Sequence, residues 1–134
     1  MPIPLVDLKA QYQAIKPEID AAIARVIGHS GFILGEEVRR FEADFAAFCD
    51  LPAAAAVGVD SGTAALHLAL LACGVGPGDE VIVPSFTFVS TINAFVLRGA
   101  RPVFCDIRSD TLNLDERCLE RLITPRTKAI LVVH

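Results

Sequence analysis

The chain has 134 residues, 53% of them hydrophobic and 21% charged, with a formal net charge of −4. That length and apolar content suffice for one packed core. The acidic balance, with Lys and Arg scattered and no basic stripe to neutralise phosphates, argues against nucleic acid as a partner.

The first element expected is a helix over Pro17 to Ile27, started by Pro17 in its first turn, with Ile19, Ala22, Ile23 and Val26 on one face. The loop Gly28 to Gly35 then places Phe32, Ile33 and Leu34 between glycines. Three large apolar residues so placed are expected to be buried, against either a second subunit or the loop's own domain. A second helix is expected from about Glu37 to Phe48, with Val38, Phe41, Phe45 and Phe48 in register.

The second half alternates strands and helices. Val57 to Val59, Val81 to Val83, Val103 to Ile107 and Ile130 to Val133 are short, β-branched runs bounded by Gly, Pro and Asp. Between them lie helical patterns over Ala64 to Cys73, Thr91 to Leu97 and Glu116 to Ile123, the last with Leu119, Leu122 and Ile123 at helical spacing and Asp115 placed to cap it. Such alternation implies an α/β fold with a mainly parallel sheet and helices on both faces. Residues 61–78 and 81–97 carry no formal charge, but Gly, Pro, Ser or Thr interrupts both, so they read as buried α/β units and not as membrane spans. No signal peptide is visible. Ligands of such sheets bind outside the carboxyl ends of the strands, where Ser61 to Thr63 and Ser85 to Ser90 fall.

Of these, the turn Asp60-Ser61-Gly62-Thr63-Ala64 carries the clearest chemistry. The first N–H groups of a helix have no partner inside it, and together with the helix dipole they suit an anion such as a phosphate. Gly62 leaves room for the ligand, and Ser61 and Thr63 add hydroxyls. The alternative is a pair of capping residues that bind nothing. A dinucleotide site is disfavoured, because no G-x-G-x-x-G follows the first strand. Cys49, Cys73, Cys105 and Cys118 lack C-x-x-C spacing and three lie in apolar patterns, so they read as reduced core thiols of a cytoplasmic protein, with no metal site among them.

Taken together, Pro4-Leu5-Val6-Asp7-Leu8, Gly31-Phe32-Ile33-Leu34-Gly35, Phe41-Glu42, Ser61-Gly62-Thr63-Ala64-Ala65-Leu66, the run Gly78 to Thr91, Pro102 to Ile107 and Thr127-Lys128-Ala129-Ile130 resemble the sugar aminotransferases of the DegT/DnrJ/EryC1/StrS family. The resemblance covers essentially the whole chain. It implies the large domain of a pyridoxal-phosphate enzyme of fold type I, like aspartate aminotransferase, in its N-terminal part: an arm, helix and glycine-bounded loop over 1–35, then an incomplete cofactor-binding domain over 36–134.

By the same resemblance Gly62, Thr63 and Ala64 match the segment that binds the phosphate of pyridoxal 5′-phosphate, and Phe88 matches the aromatic that stacks on its ring. Read without the family, Phe88 is an ordinary core aromatic at a strand end. Phe32 matches a region near the substrate, which could belong to a neighbouring subunit of a homodimer. The block Thr87 to Arg98 is most similar to transaminases of a nucleotide-linked 4-keto-6-deoxyhexose, so a dTDP- or UDP-linked keto sugar is the expected acceptor and an amino acid such as glutamate the expected donor.

Amino transfer needs a lysine at the cofactor and a carboxylate at its ring nitrogen. In the family both lie beyond Val133-His134, so this chain is expected to be an N-terminal fragment with no catalytic residue of its own. Lys128 belongs to the wrong edge of the sheet, Lys9 and Lys16 read as surface charges, and Asp106 as a strand-end turn residue. A non-catalytic relative used for association or sugar-nucleotide binding is the alternative.

Overall fold

The structure is a computed structural model and describes residues 4–134. The chain divides into two compact units, residues 1–58 and 59–134. The boundary expected after residue 35 lies inside the first of them.

In the first unit, helix α1 spans Leu8–His29 and α2 spans Glu36–Phe48. The start of α1 differs from the expectation, because Asp7 caps the helix by accepting the Ala10 N–H (2.9 Å), and Pro17 lies in its interior. The Asp7 cap starts the helix upstream of Pro17, which leaves one N–H missing inside it. Ser30 ends α1 in the left-handed conformation (φ 54°). Gly35 is required where it stands, since a Cβ there would come within 2.2 Å of the Gly31 carbonyl oxygen. Arg25 on α1 donates to Glu37 on α2 (2.7 Å). Phe32, Ile33 and Leu34 are exposed, so the loop does not bury them against its own domain.

The second unit is a three-stranded parallel sheet in the order β2-β1-β3, with β1 at Glu80–Pro84, β2 at Arg101–Cys105 and β3 at Thr127–Ile130. Helices α3 (Gly62–Ala72) and α4 (Ser90–Val96) pack on one face, where Val81, Val83, Leu70, Ala94 and Phe95 form one core cluster. On the other face Ile82, Cys105 and Leu114 meet Cys118, Leu119 and Leu122 of a 3₁₀ turn (Glu116–Cys118) that runs into α5 (Leu119–Leu122). The expected parallel α/β architecture with helices on both faces is therefore present. Asp115 caps the 3₁₀ turn as expected, accepting the Arg117 N–H at 3.1 Å.

Three expected strands change, one of them Val103 to Ile107, which lies two residues earlier at Arg101–Cys105. Val57 to Val59 forms none: no strand of this sheet pairs with it, and the Gly58 N–H donates instead to Glu42 Oε1 (2.7 Å). The last strand begins earlier than Ile130 and ends there, with the Leu131 N–H still donating to the Ile82 carbonyl (2.8 Å). The four cysteines are free, but only Cys105 is fully buried. Cys49 and Cys73 are exposed because they sit at the C-caps of α2 and α3 and not inside them.

Candidate functional site

At the carboxyl end of β1 the chain leaves the sheet with the Ser85 N–H donating to the Cys105 carbonyl (2.8 Å), then turns through Phe86-Thr87-Phe88 into α4. The Phe88 carbonyl accepts the Thr91 N–H (3.0 Å), and the Thr87 and Thr91 hydroxyls share a hydrogen bond (2.9 Å), so this turn is tied to the first turn of the helix. Phe88 is 76% exposed. Its ring lines a cavity of ≈ 400 Å³ together with Phe86, Thr111, Leu112, Asn113 and His134, residues that follow all three strands. The core-aromatic reading of Phe88 does not fit that exposure. Phe95, one helix further on, is the buried aromatic.

The amino end of α3 shows what the Ser61-Gly62-Thr63-Ala64 turn can offer. Ser61 is extended, its Oγ accepts the Ala64 N–H (3.2 Å) and its carbonyl accepts the Ala65 N–H (3.0 Å). Among the described residues the N–H groups of Gly62 and Thr63 have no acceptor. Of the three residues expected at a phosphate, Ala64 is thus engaged in the cap, and its N–H would be free only with that cap open. Gly62 is the first helical residue, its φ is not positive, and a Cβ built on it meets nothing within 4 Å. What glycine supplies here is open space in front of two free donors. Those features fit the phosphate of pyridoxal phosphate. The turn lines a cavity of ≈ 410 Å³ with His67, Leu68, Ala94 and Leu97, and Phe88 is not part of that lining.

Phe32 belongs to the first unit, 65% exposed, and lines a groove of ≈ 380 Å³ with Ala22, Ile23, Val26 and Ile27 of α1. Of the three lysines, Lys128 is the one in the unit that holds the sheet, and it does not lie on the ligand edge. Lys16 pairs with Asp20 on α1, and Lys9 is an exposed residue of the same helix. Lys128 stands at the amino end of β3, where the register with β1 shifts, and its ammonium end approaches Gly74, in the loop that precedes β1. Asp106 is a turn carboxylate, accepting from its neighbour Ile107 N–H (2.8 Å).

The sequence reading missed Glu80. It is 1% exposed at the amino end of β1 and accepts hydrogen bonds from Thr124 Oγ1 (2.7 Å), Arg101 (2.6 Å) and Arg126 (3.0 Å). The Thr124 hydroxyl first, then the two guanidinium groups, hold its carboxyl down to about 2 against the opposite push of burial. A carboxylate opening an otherwise apolar strand was the signal. Its effect is to fasten the starts of all three strands, on the edge away from Phe88. A second ionic cluster stiffens the other end, where Arg108 binds Asp110 and Glu116 (both 2.8 Å) and braces the loop carrying Thr111 to Asn113. That pairing lowers the Asp110 carboxyl to about 2.

The sheet and its covering helices define a parallel α/β unit, with free helical N–H groups and an exposed aromatic turn following its strands. The profile of the DegT/DnrJ/EryC1/StrS aminotransferase family matches residues 13–134, and the chain belongs to that family. It is 49% identical over 132 residues, 98% of its length and 34% of the relative's, to the dTDP-3-amino-3,4,6-trideoxy-alpha-D-glucose transaminase of Streptomyces venezuelae. Over 131 residues it is also 49% identical to the UDP-2-acetamido-2-deoxy-3-oxo-D-glucuronate aminotransferase of Pseudomonas aeruginosa, covering 98% of this chain and 36% of that one. Its fold matches the crystal structure of S. venezuelae DesV with a TM-score of 0.86 at 45% identity, over 98% of this chain and 35% of that one. A DegT DnrJ EryC1 StrS aminotransferase from Brucella abortus gives 0.82 at 33% identity, over 98% and 36%. The chain spans about a third of the length of the relatives it matches.

Proposed function

We propose that residues 61–64 and Phe88 form part of the pyridoxal 5′-phosphate site of a nucleotide-sugar aminotransferase. The observation that carries this reading is the pair of unpartnered N–H groups at Gly62 and Thr63, standing in open space in a chain of this family. When bound, the cofactor supplies the electron sink that lets an amino group pass from an amino acid to a keto sugar. Within this chain, Gly62 and Thr63 donate to the phosphate, and Ser61 fixes their direction by capping the helix. Phe88 offers a flat apolar face to the ring, worth ~0.5–1.5 kcal/mol beyond burial. Phe32, on the glycine-bounded loop, is assigned to the substrate side.

The acceptor class is a dTDP- or UDP-linked keto sugar and the donor an amino acid such as glutamate, in a cytoplasmic homodimer. The names of the two relatives above put a 3-amino group on one sugar and a 3-oxo group on the other, whereas the Thr87 to Arg98 block suggested a 4-keto acceptor. The lysine that moves the proton is not among the described residues' ligand-edge groups, so this segment binds and orients but does not transfer. No helix among the described residues is long and apolar enough to cross a membrane.

The assay supplies pyridoxal 5′-phosphate, glutamate and either a 3-keto or a 4-keto nucleotide sugar. A polypeptide that extends residues 1–134 with a ligand-edge lysine aminates one of the two, and residues 1–134 alone aminate neither. Turnover by residues 1–134 alone, or a borohydride-stable adduct concentrated on Lys128, contradicts this division of roles.

A further inference from the structure

We infer that His67 is a positioning residue for this ligand edge: it locks the helix that presents the free N–H groups to the helix that follows Phe88. The inference rests on reading that edge as the cofactor site.

His67 is half-buried on α3, and its Nδ1 lies 2.9 Å from the carbonyl oxygen of Ala94 on α4. A carbonyl only accepts, so Nδ1 carries a proton and donates it. The carbonyl needs this donor. Ala94 is fully buried and in the last turn of α4, where the Arg98 N–H that would continue the helical ladder donates instead to Phe95 (3.0 Å) and the Leu97 N–H goes to Asn93 (3.3 Å). A buried carbonyl left unpaired at a helix end is costly. His67 is the group that satisfies it.

The placement of this bond gives it a role at the site. Along α3, His67 is about 7.5 Å from Gly62, and along α4, Ala94 is about 6 Å from Ser90, where that helix begins, at 1.5 Å of rise per residue. Each helix has one half of the ligand edge at its amino end, with the Ser61 cap on α3 and the Phe88 carbonyl bonded to Thr91 in the first turn of α4. A cross-link at similar depth on both fixes their mutual rotation and slide. The two halves line separate cavities, so a ligand that touches both depends on that alignment, and a ligand that touches α3 alone does not.

The test uses the 134-residue chain and two probes. Pyridoxamine 5′-phosphate, which forms no imine with lysine, spans ring and phosphate; inorganic phosphate occupies the helix end only. His67→Leu should weaken pyridoxamine 5′-phosphate about tenfold, the order of one lost hydrogen bond between neutral groups. Inorganic phosphate, followed by the Gly62 and Thr63 amide shifts, should bind the variant as it binds the parent. His67→Asn, whose amide N–H stands near the Nδ1 position, should restore most of the pyridoxamine 5′-phosphate affinity. Long-range ¹H–¹⁵N spectra of the parent should show His67 protonated on Nδ1. Equal loss of both probes, loss of neither, or a ring with no proton on Nδ1 overturns the inference. If the parent binds neither probe, the cofactor-site reading itself fails, and this inference with it.

Discussion

Phe88 and Phe95 are the same residue type on one short segment, and the structure assigns them opposite duties. Phe95 is 0% exposed, packed with Leu70, Val75, Val81, Val83 and Ala100, and Phe88 is 76% exposed on the cavity wall. Truncating a buried Phe removes its transfer free energy and leaves a cavity, together ~3–5 kcal/mol, a large part of the ~5–15 kcal/mol that holds a domain folded. For a unit of this size Phe95→Ala should lower Tm by roughly 12 °C or more. Phe88→Ala removes little buried area and should stay within ~0.5 kcal/mol of the parent. Its loss should appear in ligand affinity instead, about tenfold for pyridoxamine 5′-phosphate if the stack is worth ~0.5–1.5 kcal/mol. Thermal melts followed by far-UV circular dichroism, run beside a titration of each variant, separate the two effects. If Phe88→Ala melts as early as Phe95→Ala, Phe88 is a core residue and cannot be the ligand's stacking face.

Glu80 predicts a pH dependence. Its folded carboxyl is held to about 2, below its ordinary ~4.3, so its contribution to stability is complete above that ordinary value and is lost as pH falls toward 2. Urea melts should therefore show stability falling between about pH 5 and pH 2, and Glu80→Gln should flatten this slope while lowering stability at pH 7; a variant with the parent's acid profile would remove Glu80 as its cause. Gly62→Val should leave Tm nearly unchanged, because a Cβ there meets no protein atom and φ is not positive, while affinity for the cofactor phosphate falls substantially. Undiminished affinity in that variant would make the Ser61 turn a helix cap and nothing more.

Much of the fold was legible because parallel strands and their covering helices announce themselves by local pattern. Val81 to Val83 sits inside β1, and the α2 and α3 positions follow from their apolar spacing. The errors occur where a non-local partner decides. Val57 to Val59 has strand chemistry but no neighbour in this sheet, and a strand without a partner is not a strand. Pro17 was given the start of α1 because proline favours a first turn, yet the Asp7 cap outranks it. Cys49 and Cys73 follow apolar helices closely enough to look interior, but a C-cap turns outward.

At the site, the residue types of the Ser61 turn were readable, whereas the division of its N–H groups between cap and ligand was not. That division depends on the Ser61 rotamer, which places Oγ on Ala64. Glu80 and His67 were invisible for a related reason. Each acquires meaning only through groups distant in sequence, Thr124, Arg101 and Arg126 for one and the Ala94 carbonyl for the other.

The central claim is that this edge receives the phosphate and ring of a pyridoxal-type cofactor. The most direct measurement is a titration of the ¹⁵N-labelled chain with pyridoxamine 5′-phosphate, mapped amide by amide. The account predicts saturable shifts at Gly62 and Thr63, a smaller one at Ala64 whose N–H is already bonded to Ser61, and a second focus around Phe88. Shifts confined to other parts of the chain, or none at saturating ligand, would contradict it.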